Sequence, residues 1–539
     1  MDVQGVTTNE INIREIASDN DLPQEMVDFD FFFDKVLQGY EDGSAAAHLP
    51  ADATVARSII PAGTGAYRDF SYIAPDIPEF DFSKCVGCMT CVNECPDTAI
   101  LGKVVEDHIL EEQLAGVEDP DERAYLKAQF SETKKFRNKF ERQGEEPGMF
   151  GIFIDPTKCK GCSECVEACD DLGYHALKMI PKQDNTVPAY QKSIDFFREL
   201  PSTPKRFISD RLPVDYMLSE SAMLFVGGAG SCAGCGEASA LRMMLATTGF
   251  QYGRENTGIV AATGCNTVYG STYPYNPYLV AWMNSLFENA PTTAMGVRAR
   301  WDQMGWEDKK LWVIGGDGAM YDIGFQALSR MMASGMNINV LVLDTQVYSN
   351  TGGQASTASF TGQAAKMSAI GSDVHGRQEQ RKELSRIAMM HPNVYVAQTS
   401  AALPNHFYRA IAEANEFPGP AVVSVYTTCQ PEHGVADDMS RHQAKLAVDS
   451  RAWPVLIYDP RKGDTIRERL DLKGNPAMRE DWYTIKKTGE TIDFITFARS
   501  EGRFARNFDK DGNPAQEILD GKADRLANWH LLQEMAGLR

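Results

Sequence analysis

The stretch Leu311-Trp-Val-Ile-Gly-Gly-Asp-Gly318 decides the fold of the larger part of this chain. Its apolar run fits a strand buried on both faces, and the glycine-rich turn that follows leads into a helical pattern over residues 321–334. Three further apolar runs alternate with helical stretches and Gly-rich turns, at 257–262, 339–344 and 421–426. This alternation predicts an α/β domain with an open parallel sheet over residues 221–440.

Eight of the 12 cysteines form two groups with one spacing, Cys-x2-Cys-x2-Cys-x3-Cys. In this arrangement three thiolates surround one cubane, and the fourth ligates the other. A structural zinc site pairs CxxC units across a longer loop and fits poorly. The spacing predicts a small α+β ferredoxin-like domain with two [4Fe–4S] clusters. One cluster is assigned to Cys85, Cys88, Cys91 and Cys169, and the other to Cys159, Cys162, Cys165 and Cys95.

Shifts in composition suggest the domain boundaries. Residues 1–80 lack cysteine and are rich in turn formers, which indicates an N-terminal extension or linker. The ferredoxin-like domain is expected at 81–175, with one or two solvated helices inserted at about 104–142. Residues 176–220 are expected to be a linker, and the polar, weakly periodic residues 441–539 an extended tail packed on a partner or on the chain itself.

The charge and the terminal sequence exclude several classes of protein. A formal charge of −21 argues against a nucleic-acid partner, because such binding needs a basic surface. No run of 18 apolar residues occurs, and the N-terminus shows no signal-peptide pattern. We therefore expect a cytoplasmic protein that has no membrane partner.

Four cysteines remain outside the two groups. Cys232 and Cys235 form a CxxC in a glycine-rich turn, while Cys265 and Cys429 each follow a predicted strand closely. Because the carboxyl ends of parallel strands meet at one edge of a sheet, all four could meet there and hold a third cubane. Two alternatives remain open: Cys265 and Cys429 as small core residues, and a redox disulfide between Cys232 and Cys235.

The same edge carries groups suited to a diphosphate and a cation. The glycines at 316–318 allow close approach of a phosphate at a helix start, and Asp317 is a hard oxygen ligand for Mg²⁺. One βαβ unit later, a polar loop follows the next strand. It offers the hydroxyl of Thr345, the carbonyl of Val347 and the amide of Asn350. This combination is typical of a thiamine diphosphate site.

Taken with the cysteines, these motifs resemble the C-terminal half of the pyruvate:ferredoxin (2-oxoacid:acceptor) oxidoreductase family. The matching stretches are 230–237, 262–265, 282–288, 315–324 and 344–354. The resemblance implies that Cys232, Cys235, Cys265 and Cys429 hold a third [4Fe–4S] cluster beside the thiamine. It implies that Asp317, Thr345 and the Val347 carbonyl bind Mg²⁺, and that Asn350 acts at the reacting centre. The implied cofactor-binding residues are Thr263, Gly264, Gly316, Asp317, Gly318, Thr345, Val347 and Asn350.

The family implies a CoA-acylating enzyme that oxidises pyruvate to acetyl-CoA and CO₂ and passes electrons through three clusters to ferredoxin or flavodoxin. Its other half is missing here, so a second subunit is expected to supply the pyrimidine-side thiamine domain and the groups that hold CoA and substrate. The expected assembly is a hetero-oligomer such as a dimer of heterodimers. Rival substrates are 2-oxoglutarate and branched-chain 2-oxoacids. A further alternative is an electron-transfer subunit with a vestigial thiamine site, against which the intact Asp317, Thr345 and Asn350 argue.

Overall fold

The computed structural model describes residues 29–48, 59–368, 371 and 374–539, so the predicted N-terminal extension lies partly outside the described residues. Its described part begins with a helical run made of Phe29–Phe31, Phe32–Leu37 and Gln38–Glu41, followed by the turn Ala45–His48. Three apolar side chains of this run, Phe32, Val36 and Leu37, pack with three tyrosines from later in the chain: Tyr67, Tyr273 and Tyr275.

The ferredoxin-like domain has five strands: β1 Asp76–Phe80, β2 Ile100–Glu106, β3 Phe130–Ser131, β4 Gly148–Ile154 and β5 Leu177–Pro181. They form two antiparallel sheets, one of order β1-β5 and one of order β2-β4-β3. The first cysteine group lies between β1 and β2 in the sequence, and the second lies between β4 and β5. The helices are α1 Thr90–Glu94, α2 Asp107–Ala115, α3 Pro120–Lys127, α4 Lys134–Gln143 and α5 Glu164–Asp171.

The structure corrects two of the predicted boundaries and the predicted content of the insertion. Strand β1 begins inside the predicted extension, and β5 with helix α6, Thr186–Glu199, occupies the predicted linker. The insertion holds three helices and β3 rather than one or two solvated helices, because each helix buries an apolar face. The buried insertion residues are Leu110, Leu114, Leu126, Phe136 and Phe140, and α6 buries Ile194 and Phe196.

Six strands form the main sheet of the larger domain: β6 Thr257–Ala262, β7 Ala281–Ser285, β8 Lys310–Gly316, β9 Asn339–Asp344, β10 Tyr395–Ser400 and β11 Ala421–Tyr426. These strands are parallel, so the predicted α/β fold with a parallel sheet is confirmed for this part. With β12 Leu456–Tyr458 and β13 Leu470–Asp471 they make an eight-stranded sheet of order β13-β12-β10-β11-β9-β8-β6-β7. The helices are α7 Gly236–Tyr252, α8 Cys265–Gly270, α9 Ala290–Gln303, α10 Phe325–Ser334, α11 Leu384–Met389, α12 Pro404–Glu416 and α13 Gln430–His433.

The C-terminal region is a folded part of this domain and not an extended tail. Strands β12 Leu456–Tyr458 and β13 Leu470–Asp471 add to the sheet in the antiparallel sense. Aromatic residues that are separated in the sequence form one buried cluster. The hydrophobic periodicity of a single segment does not predict such a cluster. Its members include Trp453, Phe494, Phe497 and Phe504. The other elements are α14 Ser440–Asp449, α15 Ile466–Arg469, β14 Tyr483–Thr484, β15 Thr491–Ile492, α16 Phe494–Arg499 and α17 Gln516–Met535.

Among the described helices, none combines the length and the apolar character needed to span a bilayer.

Trp529 on α17 gives a test of this C-terminal packing. Its side chain is 0% exposed, its indole donates to the Glu480 carbonyl at 2.9 Å, and the Arg451 guanidinium lies 4.3 Å from its ring. We expect Trp529→Ala to lower the free energy of unfolding by about 3–5 kcal/mol, because it removes a large buried side chain. Leu519→Ala, an exposed position on the same helix, should change it by less than about 0.5 kcal/mol in urea unfolding. Equal effects would contradict the packing.

Candidate functional site

Four thiols surround a small cavity of about 20 Å³ in the ferredoxin-like domain. They are Cys85, Cys88, Cys91 and Cys169. The first three come from one loop and the fourth from the other, which is the grouping that the spacing predicts. Burial, the largest cause, raises the pKa of Cys85 to about 11. The chain alone therefore favours the protonated thiol here, and binding of iron must displace the proton.

A second cavity of about 20 Å³ has the complementary set in its wall: Cys95, Cys159, Cys162 and Cys165. Both cysteine loops turn through the left-handed region at equivalent residues, with φ of 72° and 68° at Gly87 and Met89 and of 69° and 67° at Gly161 and Ser163. The sequence repeat is therefore also a repeat of backbone geometry. Here too burial is the main cause that raises the pKa of Cys159 to about 12.

The remaining four cysteines lie near one another beside the parallel sheet. Burial is the main cause that raises the pKa of Cys265, followed by the charge of Glu237 and then by the other three thiols, Cys235, Cys429 and Cys232. The loop before α7 is held against the end of β11, because the Gln430 amide donates to the Gly234 carbonyl. In the described part of the chain no three His, Cys, Asp or Glu side chains are arranged to hold a single metal ion.

The largest of these cavities, about 160 Å³, lies at the carboxyl edge of the sheet. All eight residues predicted to bind the cofactor are in its wall: Thr263, Gly264, Gly316, Asp317, Gly318, Thr345, Val347 and Asn350. Cys265 also lines it, so one cysteine belongs both to the cavity wall and to the group of four thiols. The ends of three strands supply the wall, since these residues follow β6, β8 and β9 directly.

Three oxygen atoms gather at the floor of this cavity. The Thr345 hydroxyl lies 3.2 Å from Asp317 Oδ1 and donates to the Val347 carbonyl at 3.0 Å. Burial, followed by the charge of Asp344, raises the pKa of Asp317 to about 8. A buried carboxylate with a hydroxyl and a carbonyl at its side matches the oxygen ligands that Mg²⁺ prefers. The residues present therefore fit a magnesium–diphosphate group.

Several wall residues carried no predicted role. Glu237 is 4% exposed, and burial is the main cause that raises its pKa to about 8. Its Oε2 atom has no hydrogen-bond partner among the described residues. The Tyr348 hydroxyl donates to Asp322 at 2.7 Å, which fixes its ring over the Gly-Asp-Gly turn. Glu237, Tyr348 and the wall residue Phe287 all fall in stretches that carry the family resemblance, so their position in the sequence was the available signal.

His433 connects the thiol group to the oxygen-rich loop. Its Nε2 lies 2.8 Å from the Thr345 carbonyl oxygen, and its Nδ1 accepts the backbone N–H of Cys429 at 3.4 Å. Burial, followed by the charge of Arg503, lowers the pKa of His433, so the ring is neutral and donates through Nε2. The loops that carry Cys429 and Thr345 are therefore fixed relative to each other.

Comparison with known protein families defines the class. Residues 262–425 match the thiamine pyrophosphate enzyme C-terminal TPP binding domain, and residues 78–101 match the 4Fe-4S binding domain. The chain thus joins a thiamine-diphosphate-binding domain to an iron–sulfur domain. This agrees with the predicted fold class and with both kinds of predicted cofactor.

Curated relatives match most of the length of this chain. The chain is 28% identical to the probable pyruvate-flavodoxin oxidoreductase of Escherichia coli, over 93% of this chain and 44% of that protein. It is also 28% identical to the pyruvate:ferredoxin oxidoreductase of Moorella thermoacetica, over 93% of this chain and 45% of that protein. The resemblance drawn from the cysteine and Gly-Asp-Gly motifs is confirmed. The chain spans less than half the length of these curated relatives.

Two further matches complete the comparison. The mitochondrial pyruvate dehydrogenase [NADP(+)] of Euglena gracilis is 30% identical over 80% of this chain and 26% of its own. Among solved structures, the 2-oxoglutarate:ferredoxin oxidoreductase of Magnetococcus marinus matches with a TM-score of 0.33 and 23% identity, over 37% of this chain and 64% of that one.

The Gly-Asp-Gly turn permits a test of the cavity. A Cβ added at Gly318 would lie 2.5 Å from two ring carbons of Tyr348. We expect Gly318→Ala to weaken binding of thiamine diphosphate about tenfold or more, because overpacking costs about 1–3 kcal/mol. Gly296→Ala, where nothing lies within 4 Å, is the matched control. Calorimetric titration of the purified complex measures both, and unchanged affinity in Gly318→Ala would place the diphosphate elsewhere.

Proposed function

We propose that this chain is the thiamine-diphosphate and iron–sulfur subunit of a pyruvate:ferredoxin oxidoreductase (pyruvate synthase). The complete enzyme converts pyruvate and coenzyme A into acetyl-CoA and CO₂ and delivers two electrons to ferredoxin or flavodoxin. The observation that carries this proposal is the double position of Cys265, in the wall of the thiamine cavity and within the group of four thiols. A cluster there would accept electrons directly from the cofactor site.

The chain's own residues hold and orient the cofactor in this proposal. Asp317, Thr345 and the Val347 carbonyl bind Mg²⁺, while the glycines at 316 and 318 let the diphosphate approach the backbone. Thiamine diphosphate, when bound, supplies the nucleophilic carbon and the electron sink that release CO₂ from a 2-oxoacid. Asn350 lines the cavity and is exposed, so its amide can reach a substrate beside the reacting centre.

The 12 cysteines would hold three [4Fe–4S] clusters, which would supply a path for the electrons out of the cofactor site. The group with Cys232 lies next to the second cavity, because the Lys160 ammonium, one residue after Cys159, donates to the Ser231 carbonyl at 2.8 Å. The first cavity has exposed Val86 and Tyr174 at its rim. An apolar, exposed rim over a cluster suits transient docking of a small electron carrier.

A second chain completes the active site in this proposal. More than half the length of the curated relatives lies outside the match. The cavity wall includes the exposed side chain of Ile323, and Leu286, which precedes the wall residue Phe287, is also exposed. That chain would supply the pyrimidine-side thiamine domain and the residues that hold pyruvate and coenzyme A. The assembly would be a hetero-oligomer such as a dimer of heterodimers.

The function is tested with the complex of this chain and its co-purifying partner, handled without oxygen. Pyruvate, 2-oxoglutarate and a branched-chain 2-oxoacid are each supplied with coenzyme A and oxidised ferredoxin. We expect the highest rate of ferredoxin reduction and CO₂ release with pyruvate, and none without coenzyme A. Faster turnover of 2-oxoglutarate would reassign the substrate, and no turnover of any 2-oxoacid would refute the proposal.

The cluster count has its own test. Cys429→Ala should lower the iron content by about four atoms per chain, because a cubane that loses one of its four thiolates is not retained. Val425→Ala, a buried change on the strand that precedes Cys429, should leave iron unchanged. Iron assays on the anaerobically purified complexes compare the two. Constant iron in Cys429→Ala would eliminate the third cluster.

A further inference from the structure

Arg242 is a buried cation at the junction of the two domains. It lies on α7, which begins directly after Cys235, and it is 3% exposed. Its Nη1 atom donates to the carbonyl oxygen of Cys95 at 3.0 Å and to that of Val92. The guanidinium therefore contacts the backbone of Cys95, which lines the second cavity. The helix that carries it begins next to Cys235, which lies beside the thiamine cavity.

No carboxylate lies within ion-pairing distance of Arg242 in the part of the chain that the structure describes, and its Nη2 atom has no hydrogen-bond partner there. Four other deeply buried arginines differ in this respect, whereas Arg451 shares it. Each of the four has an acidic partner: Arg298 with Asp302, Arg381 with Asp344, Arg503 with Glu501 and Arg525 with Glu383. A buried charge without a partner is strongly disfavoured, so a balancing negative charge beside Arg242 is favoured.

The acidic groups at the junction have cationic partners of their own, although Asp97 also acts on Arg242 through its charge. Lys160 is itself buried and pairs with Asp97 at 2.7 Å, and it also donates to the Ala229 carbonyl at 2.9 Å. This pair is neutral as a unit. Glu94 lies next to Cys95 in sequence, and its Oε1 atom lies 3.5 Å from Nε of Arg441, so it pairs with a different arginine. The positive charge of Arg242 is therefore left facing the cysteines.

We propose that Arg242 is a tuning residue for the [4Fe–4S] cluster assigned to Cys95, Cys159, Cys162 and Cys165. Four thiolates give such a cluster a net negative charge, which grows by one when the cluster is reduced. An unpaired cation in a low-dielectric interior stabilises the reduced form more than the oxidised form and so raises the reduction potential. The cluster would then draw electrons out of the thiamine site. This inference rests on the cluster assignment made under the proposed function.

The test is a reductive titration of the anaerobic holo-complex, followed by the electron paramagnetic resonance signal of each cluster, with no 2-oxoacid present. We expect Arg242→Met to shift the midpoint of one cluster to a more negative potential, with unchanged iron and thiamine content. Arg242→Lys keeps the charge and should stay close to the unmodified protein. Arg451→Met is the matched control, because Arg451 is also buried and hydrogen-bonded only to carbonyl groups, at Pro476, Ala477 and Asp481.

A variant of opposite sign keeps the proposal falsifiable if Arg242→Met fails to load iron. Asp97→Asn removes the carboxylate that pairs with Lys160 and should shift the same midpoint to a more positive potential. No shift in Asp97→Asn, or an unchanged midpoint in an iron-replete Arg242→Met, would overturn the tuning role. Because the titration needs no turnover, an incorrect substrate would leave it intact, whereas too little iron in the unmodified complex would refute the cluster assignment instead.

Discussion

The parallel alignment of four neighbouring strands is the constraint on which the site depends. In spatial order these strands are β11, β9, β8 and β6, and all of them end at the same edge of the sheet. Shortly after these ends the chain places Cys429, Thr345, Asp317 and Cys265, respectively. A parallel sheet brings such positions together regardless of their separation in sequence. Thiol groups and oxygen groups thereby share one rim without any long connecting loop.

Buried acidic groups and thiols that have no cation beside them in the described part of the chain are the second feature of this rim. Asp317 and Glu237 are buried acids whose pKa is raised mainly by burial, to about 8 in each case. The thiol of Cys235 is affected in the same direction and for the same reason. Groups of this kind are stabilised by cations and oppose one another without them. The surrounding scaffold must therefore stabilise the site when no cation is bound. Two ion pairs, Arg381–Asp344 and Arg503–Glu501, are buried directly behind the cavity loops.

Sequence predicted the parts of the molecule that are encoded locally. The two cysteine loops, the Gly-Asp-Gly turn and the polar loop after β9 each lie within about a dozen residues, and the structure brings their members together as the spacing requires. The ligand roles of these residues stay predictions. Long-range packing was missed: α6, the third helix of the insertion and strands β12 and β13 owe their structure to apolar residues that meet only after folding. Short helices and two- or three-residue strands carry too little periodicity to be recognised alone.

The proposed function requires that a thiamine cofactor and a third iron–sulfur cluster share the carboxyl edge of the sheet. Anomalous diffraction at the iron edge from anaerobically grown crystals of the complex can locate both groups. We expect three iron sites per chain, one of them enclosed by Cys232, Cys235, Cys265 and Cys429, with thiamine diphosphate in the adjoining cavity. Iron in the ferredoxin-like domain alone, or a disulfide between Cys232 and Cys235, would contradict it.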